Sequence, residues 1–126
     1  YSFVTLHGGR FENNQAIDGG AVSVQTDGKS FVSGGVFSNN KALNGGGAFW
    51  KDDSSSIEIT GGIFTENEAA FGGFLYAQGE GNTCCHGSSV ERNSGVDGGA
   101  IYAVNGAVVD WTCHLKDNKA FVAPAM

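Results

Sequence analysis

The stretch Phe64-Thr-Glu-Asn-Glu-Ala-Ala-Phe-Gly-Gly73 decides the fold, because variants of it recur along the whole chain. Each copy begins with an apolar residue that opens an F-x-x-N-like tetrapeptide, and in four copies a run of glycines begins eight residues later. The tetrapeptides are Phe11-Glu-Asn-Asn14, Phe37-Ser-Asn-Asn40, Phe64-Thr-Glu-Asn67, Val90-Glu-Arg-Asn93 and Leu115-Lys-Asp-Asn118. Their asparagines are separated by 26, 27, 26 and 25 residues. Self-similarity at such a period indicates a repeat architecture.

Short runs of β-branched and aromatic residues fill each period, and turn-forming residues lie between them. In the third repeat the runs are Ile57-Glu-Ile-Thr60, Gly62-Ile-Phe-Thr65 and Phe74-Leu-Tyr-Ala77. Their alternation favours strands, and no window has convincing helical periodicity. The sequence therefore predicts an all-β protein, a right-handed single-stranded parallel β-helix of about 4.5 coils of about 26 residues with three short strands per coil. An up-and-down barrel is the alternative fold, but it needs hairpin turns at intervals of about 8–12 residues.

The expected domain organisation is a single β-helix segment over residues 1–126. Its repeats run approximately over 3–30, 31–56, 57–82 and 83–107, and a partial repeat covers 108–126. Because both ends fall inside a repeat, we expect the sequence to be an excerpt of a longer polypeptide.

Stacked coils give each repeated residue a structural role. The apolar residues of the tetrapeptides are expected to form an inward hydrophobic column of Phe11, Phe37, Phe64, Val90 and Leu115. The asparagines are expected to form a ladder of amides that hydrogen-bond from coil to coil, at Asn14, Asn40, Asn67, Asn93 and Asn118. Two residues later, a tight corner is expected at Ala16, Ala42, Ala69, Gly95 and Ala120. The glycine pairs are expected to supply positive φ angles at the next corner.

Two further columns are predicted to point inward, and one between them outward. After the glycines, the inward residues are Val22, Phe49, Leu75 and Ile101, and the first strand contributes Leu6, Ile59, Cys85 and Trp111. Neighbouring residues of a strand point to opposite faces, so the outward residues are Ser23, Trp50, Tyr76 and Tyr102. The last three of these form an exposed aromatic stripe, a feature that often marks a protein interface or a sugar-binding surface. Cover by a flanking loop or a neighbouring segment is the alternative.

Composition and charge exclude several functions. The chain has 21 glycines, one proline and 40% hydrophobic residues, which is enough apolar content for a packed core. The net charge is -6 and no basic cluster occurs, so we expect neither nucleic acid nor an anionic membrane surface as a partner. No stretch approaches the roughly 18 apolar residues of a membrane span.

The interleaved motifs resemble the repeats of chlamydial polymorphic outer membrane proteins and related β-helix proteins of bacteria and microbial eukaryotes. Motifs of the GG-A-I and F-x-x-N kind mark that family, and here they are Gly19-Gly-Ala-Val22, Gly98-Gly-Ala-Ile101 and the tetrapeptides above. The resemblance covers nearly the whole chain. It weakens at Val90 and Leu115, which replace Phe, and at Ala123-Pro124, where a fifth glycine pair is missing. It implies a secreted or surface-displayed protein used in adhesion or in building an extracellular structure.

Polysaccharide-degrading enzymes also use β-helices, so a fragment of such an enzyme is one alternative. Glycoside hydrolysis uses two carboxyl groups about 5–9 Å apart. The adjacent acids Asp52-Asp53 lie in a Lys-Asp-Asp-Ser-Ser-Ser loop, which is typical of a solvated turn. Asn82-Thr-Cys84 and His86-Gly87 faintly resemble polygalacturonase motifs, but their order is wrong and the required Asp is missing. We therefore predict no catalytic residues and no enzyme.

The histidines and cysteines lack the spacing of a metal site. His7, His86 and His114 form no H-x-x-x-H motif and the three cysteines form no C-x-x-C motif, so we expect no metal and no cofactor. Cys113 follows Cys85 by 28 residues and Cys84 by 29, roughly one coil. A disulfide from Cys113 to Cys85 or to Cys84 is therefore predicted, with buried free thiols as the alternative.

The preferred function is that of a non-catalytic extracellular structural module, at the cell surface, in an adhesin or in a filament or appendage. The ends of so short a solenoid present unpaired strand edges, and the sequence has no obvious cap for them. The expected partner is protein, either another copy stacked end to end or flanking repeats of the same chain. A carbohydrate-binding module that uses Trp50, Tyr76 and Tyr102 is the alternative.

Overall fold

The computed structural model of the chain describes residues 3–25, 28–79, 83–97, 100–104 and 109–123. These residues form 17 strands, and the pairings between strands are parallel. About four coils stack into one solenoid, and the described residues contain no helix. The predicted all-β parallel β-helix is confirmed.

The strands follow the coils. Coil 1 contains β1 (Phe3–Leu6), β2 (Arg10–Glu12), β3 (Gln15–Asp18) and β4 (Val22–Val24). Coil 2 contains β5 (Lys29–Val32), β6 (Val36–Ser38), β7 (Lys41–Gly45) and β8 (Phe49–Lys51). Coil 3 contains β9 (Ser56–Ile59), β10 (Ile63–Thr65), β11 (Glu68–Phe71) and β12 (Leu75–Gln78). Coil 4 contains β13 (Thr83–Glu91), β14 (Ser94–Asp97) and β15 (Ile101–Val104), and a fifth coil begins with β16 (Val109–Lys116) and β17 (Lys119–Ala123).

Three parallel sheets run along the solenoid. The first contains β1, β2, β5, β6, β9, β10, β13 and β16, the second contains β3, β7, β11, β14 and β17, and the third contains β4, β8, β12 and β15. Coils 1 to 3 thus have four strands each rather than the predicted three, because the first sheet takes two strands from each of them. The chain bends between these two strands at Gly9, Gly35 and Gly62, whose φ angles are +97°, +110° and +110°. In coil 4 the two strands merge into β13.

The second sheet is the element that sequence reasoning missed. The expected corner at the Ala/Gly column is wrong, because Ala16 pairs with Ala42 inside β3 and β7, and Ala69 pairs with Gly95 inside β11 and β14. The corner lies earlier, at the residue before each ladder asparagine. These residues have φ angles of +53° to +58° and are Asn13, Asn39, Glu66, Arg92 and Asp117. At the next corner, positive φ angles occur at Gly19, Gly46 and Gly72.

The core consists of residue columns from all three sheets. Phe37 stacks on Phe11 at a ring-centroid distance of 4.6 Å and on Phe64 at 4.8 Å. From the third sheet, Phe49 packs against Phe37 at 5.1 Å and against Phe64 at 5.7 Å. The inward column of the first sheet also includes Val32, which the sequence assignment omitted, and is completely buried there. The backbone of Leu115 pairs with that of Val90, while its side chain and that of Trp111 lie outside the described part.

Candidate functional site

The asparagine ladder lies at the corner between the first and second sheets. The Nδ2 of Asn40 donates to Oδ1 of Asn67 at 3.0 Å, and the Nδ2 of Asn67 donates to Oδ1 of Asn93 at 2.9 Å. The same bond joins Asn14 to Asn40 and Asn93 to Asn118. Each accepting oxygen also receives the backbone N–H of the preceding asparagine. The ladder therefore has a direction, with side-chain donors pointing toward the C-terminal coils.

Buried amides of the ladder are satisfied on both sides. The second hydrogen of Nδ2 in Asn40, Asn67 and Asn93 is donated to the carbonyl of the phenylalanine that opens the tetrapeptide of the preceding coil. These three asparagines are completely buried, whereas Asn14, in the first coil, is exposed. A buried amide that keeps its hydrogen bonds is compatible with the core. The F-x-x-N motif is thus a single device, in which phenylalanine fills the core and asparagine joins successive coils.

The aromatic stripe lies on the outer face of the third sheet. Trp50, Tyr76 and Tyr102 are in register in β8, β12 and β15, and Ser23 has the equivalent position in β4. The ring centroids of Trp50 and Tyr76 are 6.1 Å apart with an interplanar angle of 12°, and those of Tyr76 and Tyr102 are 5.5 Å apart at 20°. The rings therefore stack along the solenoid axis. Their faces are turned toward one another, and mainly their edges face solvent.

The stripe also packs against the second sheet. Tyr76 lies over Gly45, where a Cβ atom would come within 2.6 Å of its ring, and Tyr102 contacts Phe71 at a centroid distance of 5.0 Å. All three stripe residues are half-buried. Burial, with smaller contributions from Tyr102 and Asp18, raises the pKa of Tyr76 above its usual value. The flat platform expected of a sugar-binding surface is therefore limited to the face of Trp50 that is turned toward Ser23.

A disulfide joins the last two coils. Cys85 is bonded to Cys113 across a Cα–Cα distance of 5.6 Å, and the closed loop spans 28 residues. Both cysteines are buried, and Cys85 occupies the inward column of the first sheet. Cys84, which points to the opposite face, is half-buried and keeps its thiol. Of the two pairings considered from the sequence, the structure thus contains the one through Cys85.

Lys51 is a charged residue at a core position, and sequence reasoning assigned it to a loop. In the structure it ends β8, in register with Val24 and Ala77, and its side chain is completely buried. Its Nζ donates to the backbone carbonyls of Asp52 at 3.0 Å and Gln78 at 2.8 Å. Burial lowers the pKa of Lys51, and the carboxylates of Asp52 and Asp53 oppose this effect. The ammonium group therefore joins the corners of coils 2 and 3.

The residues considered for catalysis or metal binding do not form a site. The Asp52 carboxylate accepts hydrogen bonds from the Ser55 hydroxyl at 2.6 Å and from the Ser54 N–H at 3.3 Å, which is the geometry of an Asx turn. His7 Nδ1 lies 2.8 Å from the Ser33 hydroxyl on an exposed surface. Within the described ranges, no group of three His, Cys, Asp or Glu side chains is placed to hold a metal ion. Asn82, part of the motif weighed above, lies outside the described residues.

A family comparison identifies one segment of the chain. Residues 34–50 match the model of the Chlamydia polymorphic membrane protein (Chlamydia_PMP) repeat. The segment includes β6, β7 and most of β8, and so contains one F-x-x-N tetrapeptide and the triple glycine. Comparisons with curated proteins and with solved structures give no match. In the described part of the chain, no helix is long and apolar enough to cross a membrane.

Proposed function

Since the match over residues 34–50 and the parallel β-solenoid fit a Pmp-like parallel β-helix repeat family, we propose that the chain is a non-catalytic structural module of an extracellular surface protein. Its role is to extend a solenoid by stacking on further coils of the same kind, in an adhesin or in a filament. No step of this role needs a reactive group. The most nearly buried charged residue, Lys51, is used to hold the backbone together.

The observation that carries this proposal is the complementarity of the two ends of the asparagine ladder. In Asn40, Asn67, Asn93 and Asn118, Oδ1 accepts two hydrogen bonds from the coil before it. Oδ1 of Asn14 accepts none from the described residues. At the other end, the Nδ2 of Asn118 donates to the Val90 carbonyl but to no further asparagine of the described part. One end thus offers an acceptor and the other a donor, which is the arrangement that head-to-tail stacking uses.

The hydrophobic core is also open at the first coil. Leu6, Phe11 and Val22 pack against the buried core but are only half-buried themselves. One face of the Phe11 ring stacks on Phe37, and the described residues place no ring on its other face. The strands β1, β2, β3 and β4 have a neighbour on one side alone. A further coil would pair these edges and bury these side chains, so stacking is favoured by both hydrogen bonding and the hydrophobic effect.

Sedimentation velocity and negative-stain electron microscopy test this proposal. The chain is expected to form head-to-tail oligomers or rods whose abundance rises with concentration. Phe11→Glu places a charge on the open end and should reduce assembly at least tenfold. Ile63→Glu places the same charge on the side of the solenoid, where Ile63 is 49% exposed, and should leave end-to-end assembly unchanged. Circular dichroism shows that both variants keep their strands. Monomers at all concentrations, or equal effects of the two variants, would contradict the proposal.

A second candidate function is carbohydrate binding, which the open face of Trp50 favours. The aromatic stack ends at Trp50, because the equivalent residue of coil 1 is Ser23. Sugars stack on aromatic faces, and this is the face of the stripe that no described aromatic ring covers. Titration with polysaccharide fragments should shift the NMR signal of the Trp50 indole N–H, and Trp50→Ala should abolish binding. Binding that survives Trp50→Ala, or none to any fragment, would exclude this function.

A further inference from the structure

The outer face of the second sheet carries an exposed apolar column next to a polar one. The polar column is in register across β3, β7, β11 and β14 and consists of Gln15, Lys41, Glu68 and Ser94. The next outward position in each strand is Ile17, Leu43, Ala70 or Val96. Leu43 is 72% exposed, Ile17 68% and Val96 45%. We call these eight residues the lateral face. Exposed apolar columns of this kind are typical of interaction surfaces.

We propose that the lateral face binds the lateral face of a second copy of this chain in antiparallel orientation. The two-fold axis of this dimer is perpendicular to the solenoid and passes between coils 2 and 3. It therefore places coil 2 opposite coil 3 of the second copy, and coil 1 opposite coil 4. This contact is on the side of the solenoid, so it does not depend on the end-to-end stacking proposed above.

The charges of the lateral face select this orientation. In the antiparallel dimer, Lys41 of each copy faces Glu68 of the other, which gives two attractive pairs. In a parallel dimer Lys41 would face Lys41 and Glu68 would face Glu68, and both contacts would be repulsive. Within one chain Lys41 Nζ and Glu68 Oε2 are 3.8 Å apart, and their side chains remain 50% and 58% exposed. They are therefore accessible to a second copy, and the four charges would alternate in sign.

The shapes of the apolar residues are also complementary about the same axis. Leu43, the most exposed of them, faces the small Ala70 of the other copy, and Ile17 faces Val96. The area is small: strands about 4.8 Å apart, with about 3.3 Å per residue, give a face of roughly 250 Å². A standard stable interface buries about 800 Å² per partner. The dimer of this chain is therefore weak, and it is best measured at high protein concentration.

A charge-swap experiment tests the pairing. Dimerisation is measured by sedimentation equilibrium up to millimolar concentration, in the Phe11→Glu background so that end-to-end assembly does not contribute. Lys41→Glu alone gives each copy acids at both positions, and Glu68→Lys alone gives each copy lysines at both, so each variant should lose self-association at least fivefold. An equimolar mixture of the two variants should restore association, because every contact is then attractive. Neither result depends on the ion pair within one chain.

Disulfide trapping tests the register independently. Leu43→Cys and Ala70→Cys are made separately, with Cys84→Ser to remove the free thiol, and the two proteins are mixed under mild oxidation. The antiparallel dimer predicts that the cross-link between residues 43 and 70 exceeds its statistical share over the two homodimeric cross-links. A statistical mixture of cross-links, a preference for the homodimers, or monomers throughout in the sedimentation experiment would overturn the proposal. A change in assembly that follows Phe11→Glu alone belongs to the end-to-end proposal and not to this one.

Discussion

Replacing Asn67 by alanine provides a quantitative test of the asparagine ladder. The Asn67 side chain takes part in four hydrogen bonds: it donates to Asn93 Oδ1 and the Phe37 carbonyl, and it accepts from the N–H and Nδ2 of Asn40. A typical hydrogen bond contributes about 1 kcal/mol net, and an orphaned buried donor costs about 1–3 kcal/mol. Asn67→Ala removes all four bonds and leaves the N–H of Asn40 without its acceptor. We expect the free energy of unfolding to fall by about 4 kcal/mol.

Asn14→Ala is the matched control at the exposed end of the same ladder. The Asn14 side chain makes one bond of the ladder, to Asn40 Oδ1, which keeps its second donor, the backbone N–H of Asn14. The expected cost is about 0.5 kcal/mol, because water replaces the lost partner. Urea unfolding followed by circular dichroism measures both variants. With a slope of about 2 kcal/mol per molar urea, the midpoint of Asn67→Ala should fall by about 2 M and that of Asn14→Ala by about 0.25 M.

An aspartate at the same position separates donors from acceptors. Asn67→Asp keeps both accepted bonds but replaces two donated bonds by contacts between a carboxylate and two oxygens. The pKa of the introduced group is therefore raised in the folded state, so this variant should become more stable as pH falls toward about 4, where the neutral acid can donate again. If Asn67→Ala and Asn14→Ala cost the same within about 0.5 kcal/mol, the ladder is not the stabilising device described here.

Three further perturbations probe other parts of the solenoid. Gly46→Ala should cost at least about 3 kcal/mol in urea unfolding, because φ is +67° and the Cβ would clash with the Phe49 carbonyl, whereas Gly8→Ala, which meets nothing within 4 Å, should cost under about 0.5 kcal/mol. Reduction of the disulfide, whose loop spans 28 residues, should cost about 3.5 kcal/mol, and Cys113→Ala should remove the effect of reductant. Burial lowers the pKa of Lys51, so the unfolded chain binds more protons between this lowered value and 10.5; stability should rise with pH across that window, and Lys51→Met should abolish this part of the rise. Equal costs for the two glycine variants, a reductant effect that survives Cys113→Ala, or identical pH profiles for Lys51→Met and the unmodified chain would each contradict the corresponding argument.

The fold could be predicted because stacking forces equivalent residues of successive coils into the same environment. Phe37 contacts its equivalents Phe11 and Phe64, so each position favours the same kind of side chain in every coil, and the period becomes visible in the sequence. The asparagines repeat for a stricter reason. Each one completes the hydrogen bonds of the asparagine in the neighbouring coil, so a substitution in one coil leaves polar atoms unpaired in two.

The second sheet could not be predicted because its inward residues are small. Ala42 and Ala69 line the interior near the ladder, and Ala and Glu have low strand propensity, so Glu68–Phe71 does not read as a strand. The corner was placed wrongly for a related reason. A positive φ is tolerated at Asn39 and is imposed on Glu66 and Arg92, so the corner position has no constant residue type.

Lys51 shows where pattern and chemistry gave opposite predictions. Alternation after the inward Phe49 and the outward Trp50 assigns Lys51 to the interior, whereas its charge assigns it to solvent. The structure satisfies both, because β8 ends at Lys51 and the aliphatic part of the side chain fills the column while Nζ reaches the carbonyls of the corner. A charged residue at the end of an inward column can therefore be assigned to the core when unpaired carbonyls lie within reach.

The outward columns follow a different rule, which explains why function is harder to predict than fold. An outward side chain contacts its equivalents in neighbouring coils but need not match them, so Lys41 can lie beside Glu68, and Leu43 near Ala70. Such differences leave the ladder of coils intact, yet they decide what the surface attracts. The alternation of charge and size in the lateral face is compatible with a two-fold axis, whereas four identical residues in a column would favour parallel and antiparallel contacts equally on charge and size. Departures from the repeat on outward positions are therefore the part of this sequence that specifies a partner, and the regular inward positions specify the solenoid that presents them.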